Sequence, residues 1–172
     1  TRLSAADWAQ VALDVIAEQG VAAVAVEPLA RRLGVTKGSF YWHFPSRDAL
    51  LQAALERWED VEQEQVFGSL EEVPDPRERL RMLFQLVGHE TKPHAIYSEL
   101  LKTLEHPAVG PVIQRVSQRR LEYLTASFRQ AGLGRAEAQN RARLTYAAYV
   151  GFLQLRPHQP KMTHEEFEEY LE

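Results

Sequence analysis

The sequence predicts an all-α protein of about nine helices. Apolar residues recur three and four positions apart along most of the 172 residues, which is the spacing of one helix face. Helix starts and stops are marked along the chain, as by the capping pair Ser4 and Asp7 and the stop at Gly20. The alanine–valine run at residues 21–26 has no partner run and no hairpin signal. We therefore interpret it as a buried loop and a helix start, not as a strand.

Composition limits the class of protein. The chain has no cysteine, which excludes disulfides, thiolate metal sites and cysteine nucleophiles. Its 45% apolar and 26% charged residues are typical of an ordinary globular domain. The longest apolar run, residues 146–153, is far shorter than the roughly 18 residues of a membrane span. The first ten residues lack the apolar core of a targeting signal. We expect a cytoplasmic protein that has no membrane partner.

The predicted helices form an N-terminal group of three, which is followed by a longer series. Their expected ranges are 4–19, 26–33 and 37–44, a long fourth helix capped by Ser46, a fifth from Asp75, a sixth at 96–104, a seventh opened by Pro107, an eighth at 135–155 and a last one from Thr163. Proline or glycine lies at most of the breaks, and Pro93 is expected to interrupt the chain before the sixth helix. We place a domain boundary after residue 47, which gives a domain at 1–47 and a helical bundle at 48–172.

Basic charge is concentrated in one short window of an acidic chain. Residues 28–47 contain Arg31, Arg32, Lys37 and Arg47 and no acidic residue, whereas the rest of the chain carries 16 basic and 24 acidic residues. A local basic surface on an acidic body favours an anionic partner. A solvated face with no partner is the simpler alternative, and charge alone favours it.

Residues 29–44 have the pattern of a helix-turn-helix. Two short helices are joined by a turn at Gly34, and Thr36 is expected to cap the second of them. Phe40 and Phe44 lie one helical turn apart, on the face that would pack inward. A unit of this kind places its second helix in the DNA major groove. That helix carries hydroxyl, amine and imidazole groups, which can donate to phosphate oxygens and base edges.

Two consecutive runs resemble the signature of the TetR/AcrR family of transcriptional regulators: GVTKGSFYWHF at residues 34–44 and PSRDAL at residues 45–50. The upstream stretch from Gly20 to Ala30 is similar to the same signature. Beyond this N-terminal segment, only the helix pattern matches. The resemblance implies a three-helix DNA-binding domain followed by a helical domain that dimerises and binds a small-molecule effector.

The resemblance assigns DNA contacts to one short segment. Lys37, Ser39 and Trp42 would contact base edges, and Tyr41, His43 and Arg47 would contact phosphates. Thr36 would contact the DNA from the start of the helix, and Gly38 would let the backbone approach the DNA closely. Successive helix positions point about 100° apart, so the side chains at 41–43 cannot all lie in the core. Contact with double-stranded DNA would explain why aromatic side chains are exposed here.

One position departs from the family's pattern. The second helix usually begins with a capping Ser or Thr, whereas this chain has Ala25 there, followed by Val26, Glu27 and Pro28. Alanine cannot cap, which costs about 1 kcal/mol of local stability, and it has no hydroxyl to donate to phosphate. Pro28 is tolerated in a first turn, where its missing N–H has no partner. We expect a weaker phosphate anchor at this end of the unit.

The eighth helix is apolar almost all round between residues 146 and 153, as expected of a helix buried on all sides. The resemblance implies that this helix and the last one pair with their copies in a homodimer, which a two-fold DNA site also requires. The predicted interface residues are Leu144, Ala147, Ala148, Gly151, Leu155, Phe167 and Leu171. A central core helix within one chain is the alternative.

The resemblance also implies a site for an unknown effector. We assign it to Phe84, Tyr97, Leu101 and Tyr146, a mostly apolar set in which the two buried hydroxyls would need hydrogen-bond partners. For each of these residues, an ordinary core position is the alternative.

Neither a metal site nor a cofactor is expected. His89-Glu90 and His94 resemble a zinc-protease motif, but the two histidines are five positions apart instead of four, and Pro93 lies between them. His106 is a further candidate neighbour. No serine, histidine or aspartate lies in a catalytic motif, and no glycine-rich phosphate loop is present in the sequence.

These observations favour a regulator without enzymatic activity. We expect a repressor that binds a pseudo-palindromic operator as a homodimer and is released by a small molecule. Two other classes stay open: a helical enzyme or small-molecule carrier with a vestigial helix-turn-helix, and a protein-interaction adaptor. The basic window and the intact run at residues 36–43 argue against the enzyme or carrier, whereas partner capture without DNA would reveal the adaptor.

Overall fold

The structure is a computed structural model that describes residues 3–88 and 92–155, together with residues 166 and 169. Within these ranges the chain forms eight α-helices and no β-strand, so the all-α prediction is confirmed. The helices are α1 (Ala5–Gln19), α2 (Val26–Arg32), α3 (Lys37–Tyr41), α4 (Arg47–Glu62), α5 (Pro76–Gly88), α6 (Lys92–Leu101), α7 (Val109–Gln130) and α8 (Arg135–Leu155). The last predicted helix, with Phe167 and Leu171, lies outside the described residues apart from two of its positions.

Two further segments complete the helical path. A short 3₁₀ helix, Val21–Ala23, precedes α2, so the alanine–valine run is not a strand. The end of α4 leads into a π-helical segment, Gln63–Gly68, and a final turn, Ser69–Glu71. None of the helices in the described ranges is long and apolar enough to cross a membrane.

The chain divides into two compact units. The first contains the residues up to Glu62 together with Ala95–Gln114, and the second contains Gln63–His94 and the residues from Arg115 onward. Helices α6 and α7 therefore each have one end in the first unit and the other end in the second. The functional boundary after residue 47 stays a prediction.

Local capping sets the starts of α1 and α4 as predicted. The Ser4 backbone N–H and hydroxyl both donate to the Asp7 carboxylate at 2.7 Å, and these bonds lower the pKa of that carboxyl. The Ser46 hydroxyl accepts from the Ala49 N–H at 3.1 Å at the start of α4. Gly20 ends α1 at a φ of 85°, a conformation that L side chains rarely adopt.

Two predicted helix boundaries are wrong. Helix α3 ends at Tyr41 instead of Phe44, and the His43 N–H donates to the Phe40 carbonyl three residues back, at 2.9 Å, which is the tighter 3₁₀ pattern common at helix ends. Helix α6 runs over Lys92–Leu101 instead of 96–104. Pro93 lies within its first turn, where proline is tolerated, so this residue does not interrupt the helix.

The second unit has its own core. Leu80, Leu124 and Ala142, from α5, α7 and α8, form a buried cluster. The partly buried side chains that pack against it are Leu83, Phe84, Phe128, Ala131 and Tyr146. Arg79 donates twice to the Val73 carbonyl, at 2.7 and 3.1 Å, and once to Gln130, which fixes the loop before α5 against α7.

Candidate nucleic-acid interface

A tight turn joins α2 to α3. Gly34 has a φ of 68°, the left-handed region in which glycine has no steric penalty. The Gly34 N–H donates to the Arg31 carbonyl at 3.1 Å, and the Val35 N–H donates to the Ala30 carbonyl at 3.0 Å. These bonds satisfy the carbonyls at the end of α2 and fix the direction in which α3 leaves. The predicted helix-turn-helix is therefore present.

The inward side of α3 is held by aromatic packing. Phe40 is fully buried, and its ring meets the buried Trp8 of α1 edge-on, with 5.4 Å between the centroids. Phe44 stacks against Phe40 at 5.8 Å. Aromatic contacts of this kind stabilise a pair beyond its buried area. Five residues of α3 are thereby fixed on α1, although so short a helix is not stable alone.

The outward side of α3 carries the predicted contact residues. Trp42 is 84% exposed and Tyr41 is 56% exposed, and Thr36, Lys37 and Gly38 are also exposed. Ser39 and His43 are half-buried. The structure therefore brings seven of the eight predicted DNA-contact residues together on α3 and the turns that flank it.

Two details of this surface were not predicted. Thr36 occupies the N-cap position of α3 in an extended conformation, but its side chain makes no capping hydrogen bond, so the predicted cap is wrong. The packing of the fold does not require a glycine at position 38. A Cβ added there would meet only Thr36 Oγ1, at the ordinary contact distance of 3.7 Å.

Arg47 differs from the other seven residues. Its Nε donates to the Val24 carbonyl at 2.9 Å, and its Nη2 donates to the Val21 carbonyl at 3.0 Å. Its Nη1 lies 3.1 Å from Asp48 Oδ1 and 3.4 Å from His106 Nε2. Its side chain is 31% exposed. The guanidinium is thus bonded within the protein, and its predicted phosphate contact stays a prediction.

The basic window is partly neutralised. Arg32 forms a two-bond ion pair with Glu18 of α1, at 2.6 and 2.7 Å, and this hydrogen bonding raises the pKa of Arg32. The Arg47 guanidinium donates to two backbone carbonyls. Lys37 and Arg31 are the exposed cations of this window for which the described residues show no ion pair.

The start of α2 is uncapped, as the sequence predicts. Ala25 occupies the N-cap position with φ −141° and ψ 146°, and no side chain caps the helix. Glu27 lies in the first turn, where its carboxylate interacts favourably with the helix dipole but would repel a phosphate.

The four predicted effector residues fall into two pairs. Tyr97 is fully buried in the first unit, where it stacks on Trp58 at 5.9 Å, and Leu101 follows one turn later, half-buried. Phe84 and Tyr146 pack on the core cluster of the second unit, and the Tyr146 hydroxyl lies 2.7 Å from the Ser117 hydroxyl.

An aromatic group beside Tyr146 was missed at the sequence level. The Arg120 guanidinium lies over the Tyr149 ring, 5.1 Å from its centroid, and His94 meets that ring edge-on at 5.9 Å. Burial raises the pKa of the Tyr149 hydroxyl, and the Arg120 charge partly offsets this effect. The spacing of these residues along the chain gave no signal, because the contact depends on how α6, α7 and α8 pack.

One face of α8 lies open in the single chain. Leu144 is 70% exposed and Leu155 is 54% exposed, with Ala147 and Ala148 exposed between them and Gly151 half-buried. The alternative of a central core helix does not describe this face. Its residues are those predicted for a dimer interface, apart from Phe167 and Leu171, which lie outside the described residues.

Two of the histidines considered as metal ligands, His94 and His106, lie in the described part of the chain. Among the described residues, no three His, Asp or Glu side chains come together as metal ligands. His94 contacts Tyr149, and His106 lies beside Arg47. His89 and Glu90 lie outside the described residues.

Comparison with known proteins places the N-terminal segment in a family. A family model described as bacterial regulatory proteins, tetR family, matches residues 10–54. SrpR, an HTH-type transcriptional regulator from Pseudomonas putida, is 46% identical over 44 residues, which are 26% of this chain and 21% of SrpR. The chain thus matches about a fifth of the length of this curated relative.

Two solved structures share the fold over nearly the whole chain. A transcriptional regulator from Saccharomonospora viridis, in complex with choline, has a TM-score of 0.84 and 19% identity, and the alignment covers 97% of this chain and 92% of that one. AibR, in complex with isovaleryl coenzyme A and operator DNA, has a TM-score of 0.73 and 18% identity over 97% of this chain and 95% of that one. Residues 10–54 are therefore similar to the tetR family of bacterial regulatory proteins, and the chain shares the fold of these two solved structures.

Proposed function

We propose that the protein is a transcriptional regulator that binds operator DNA through α3 and the turns that flank it. One observation carries the proposal: an almost fully exposed Trp42 stands beside the exposed Tyr41 at the end of a short helix that Phe40 anchors from behind. Adjacent exposed apolar side chains form a patch of the kind that marks interaction sites, and a helix-turn-helix presents this surface to the major groove.

The chemistry of each side chain suits a different part of the duplex. The Lys37 amine can donate to guanine acceptors, and the apolar edge of Trp42 can contact a thymine methyl group. The Tyr41 hydroxyl can donate to a phosphate oxygen, which fixes the register of the helix without reading sequence. Gly38 keeps the surface low at the centre of α3, so that the backbone can approach the DNA.

We propose that the protein acts as a homodimer through α8. The exposed leucines and alanines of this helix form an apolar stripe with small residues at its centre, which lets a second helix approach closely. A two-fold pair would present two copies of α3 to successive major grooves, about 34–36 Å apart. The operator would then be a pseudo-palindrome.

The proposed role is that of a repressor released by a small molecule. Support comes from the two structural neighbours, whose structures contain choline in one case and isovaleryl coenzyme A with operator DNA in the other. For this chain, the candidate effector residues are Phe84, Tyr97, Leu101 and Tyr146. Release requires that the effector bind more tightly to the state in which the two α3 helices no longer match the groove spacing.

Selection from a random duplex pool tests DNA recognition. We expect the wild-type protein to enrich a two-fold site, and we expect Lys37→Ala and Trp42→Ala to lose it, because each removes a direct contact worth about 1–3 kcal/mol. Arg135→Ala, which removes an exposed cation at the start of α8, is the matched control and should enrich the wild-type site. The selection should be repeated at low salt, where phosphate contacts are strongest.

Enrichment of the same site by wild type, Lys37→Ala and Trp42→Ala would contradict the assignment of α3. If wild type enriches nothing at low salt, the helix-turn-helix is vestigial or the preparation is held in its released state. Extraction of the protein followed by mass spectrometry distinguishes these two explanations, because only the second requires a bound molecule.

Restoring a cap at α2 should tighten DNA binding. Ala25 has the extended conformation of an N-cap residue, so threonine fits without strain and its hydroxyl can accept from the first turn of α2. We expect Ala25→Thr to raise the free energy of unfolding by about 1 kcal/mol. It should also lower the operator Kd, since the start of α2 becomes firmer and gains a donor for phosphate. Ala25→Val has the same shape without the hydroxyl, and an equal gain for this variant would contradict the explanation.

A further inference from the structure

The Arg47 guanidinium holds the turn that precedes α2. Both carbonyls that it contacts, those of Val21 and Val24, belong to this turn, and the two valine side chains are buried. A charge-assisted hydrogen bond is stronger than a neutral one, and two nitrogens of the same fork bind here at 2.9 and 3.0 Å. The first residue of α4 therefore fixes a segment 23 to 26 positions earlier in the chain.

This contact compensates for the missing cap of α2. Ala25 immediately follows Val24, and no side chain caps the helix start. The start of α2 is therefore fixed largely by the position of the turn before it. Because α2 leads through Gly34 to α3, the position of this turn also sets the position of the candidate recognition helix.

A second contact of Arg47 reaches the segment between α6 and α7. His106 Nε2 lies 3.4 Å from Arg47 Nη1, and His106 Nδ1 accepts from the Ala108 N–H at 3.2 Å. A neutral imidazole accepts at one nitrogen only, so Arg47 and the Ala108 N–H compete for this ring. Helices α6 and α7, which flank His106, both continue into the second unit.

The end of α6 also contacts the same turn. A Cβ added at Gly20 would lie 3.2 Å from Glu99 Oε2, so the α6 carboxylate sits directly against the start of the turn. Glu99 is held by Lys102 at 2.5 Å. The turn thus lies between the α4 arginine and the last turns of α6.

We propose that Arg47 is a positioning residue for the helix-turn-helix instead of a phosphate contact, and that His106 links it to the segment between α6 and α7. The inference rests on the proposed DNA-binding function and deepens it, because it assigns Arg47 to the position of α3 within the protein instead of to the DNA backbone.

A charge-conserving variant separates the two roles of Arg47. Lysine still binds phosphate as a point charge, but it lacks the fork that reaches two carbonyls at once. We expect Arg47→Lys to speed hydrogen exchange of the Ala23 and Val24 amides in the DNA-free protein about tenfold. Operator affinity should fall about tenfold while the slope of log affinity against log salt stays unchanged, because no phosphate contact is lost.

Two further variants complete the experiment. Arg57→Lys is the matched control, because Arg57 lies on the same helix and its Nε donates to the Gln10 side chain, at 3.3 Å, instead of to the turn before α2. It should leave both measurements at the wild-type values. His106→Ala removes the link without changing a fixed charge. We expect it to speed exchange of the same amides about two- to fivefold, a smaller effect because the ring is shared with the Ala108 N–H.

The outcomes are distinguishable. If Arg47→Lys exchanges these amides and binds the operator as the wild-type protein does, the positioning role is overturned. The same holds if Arg47→Gln lowers the slope of log affinity against log salt by about one unit, because that is the loss of one phosphate contact. Wild-type exchange in His106→Ala would overturn the link to α6 and α7. Exchange is measured without DNA, so it decides the role of Arg47 in the turn even if the wild-type protein selects no operator. If Arg47→Lys does not fold, as judged by circular dichroism, exchange in the wild-type protein carries the test: exchange of the Ala23 and Val24 amides as fast as in an unstructured peptide would overturn the hold of Arg47 on the turn.

Discussion

Phe40→Ala is expected to lower the free energy of unfolding by about 3–5 kcal/mol, the range observed for fully buried aromatic residues. The side chain is completely buried, and its ring contacts Trp8, Tyr41 and Phe44. A five-residue helix has no independent stability, so loss of this anchor releases α3 from α1. Operator affinity should fall at least a hundredfold as a consequence. Urea unfolding at a fixed protein concentration measures the first effect, and titration of labelled operator measures the second.

Tyr41→Ala is the control for Phe40→Ala, because it changes the adjacent residue of the same helix. Tyr41 is more than half exposed, so we expect its loss to cost less than about 1 kcal/mol of stability. Operator affinity should nevertheless fall, since a phosphate donor is removed. Equal losses of stability in the two variants would mean that α3 does not present one face to the core and the other to DNA.

Several elements could be predicted from sequence because local interactions determine them. The starts of α1 and α4 depend on hydrogen bonds between residues three positions apart, Ser4 with Asp7 and Ser46 with Ala49. The range of α8, Arg135–Leu155, was predicted in full because glycine and charged residues mark its start. The outward positions on α3 also follow from helical spacing once Phe40 and Phe44 are assigned to the core.

Other features could not be predicted because they depend on packing or on competing hydrogen bonds. The spacing of Phe40 and Phe44 fits a helix that continues to residue 44, and sequence does not reveal that the His43 N–H bonds to the Phe40 carbonyl in the tighter 3₁₀ pattern. Arg47 matches a family position expected at phosphate. Its carbonyl partners lie more than 20 residues away, and its neighbour His106 lies 59 positions further on. Neither spacing carries a recognisable pattern.

Leu144→Glu is expected to convert the proposed dimer to monomers. Leu144 is 70% exposed in the single chain, at the N-terminal end of the apolar face that continues through Ala147 and Ala148. In a dimer this side chain would be buried, and an unpaired carboxylate buried at an interface costs about 3 kcal/mol or more, which is at least a hundredfold in the dimer Kd. Sedimentation velocity at micromolar concentration should show the mass of one chain.

The monomer itself should stay folded, because the side chain at position 144 is largely exposed to water in the single chain. Ala136→Glu adds the same charge to α8 outside the predicted interface and should remain dimeric. In the proposed dimer, linking two α3 helices would make the second half-site contact intramolecular, which raises affinity by a factor of about 100 or more. Leu144→Glu should therefore lose the two-fold site while it keeps weak, salt-sensitive binding to a single half-site. A dimeric Leu144→Glu protein would place the interface elsewhere, whereas a monomeric variant with undiminished operator affinity would show that one copy of α3 suffices for recognition.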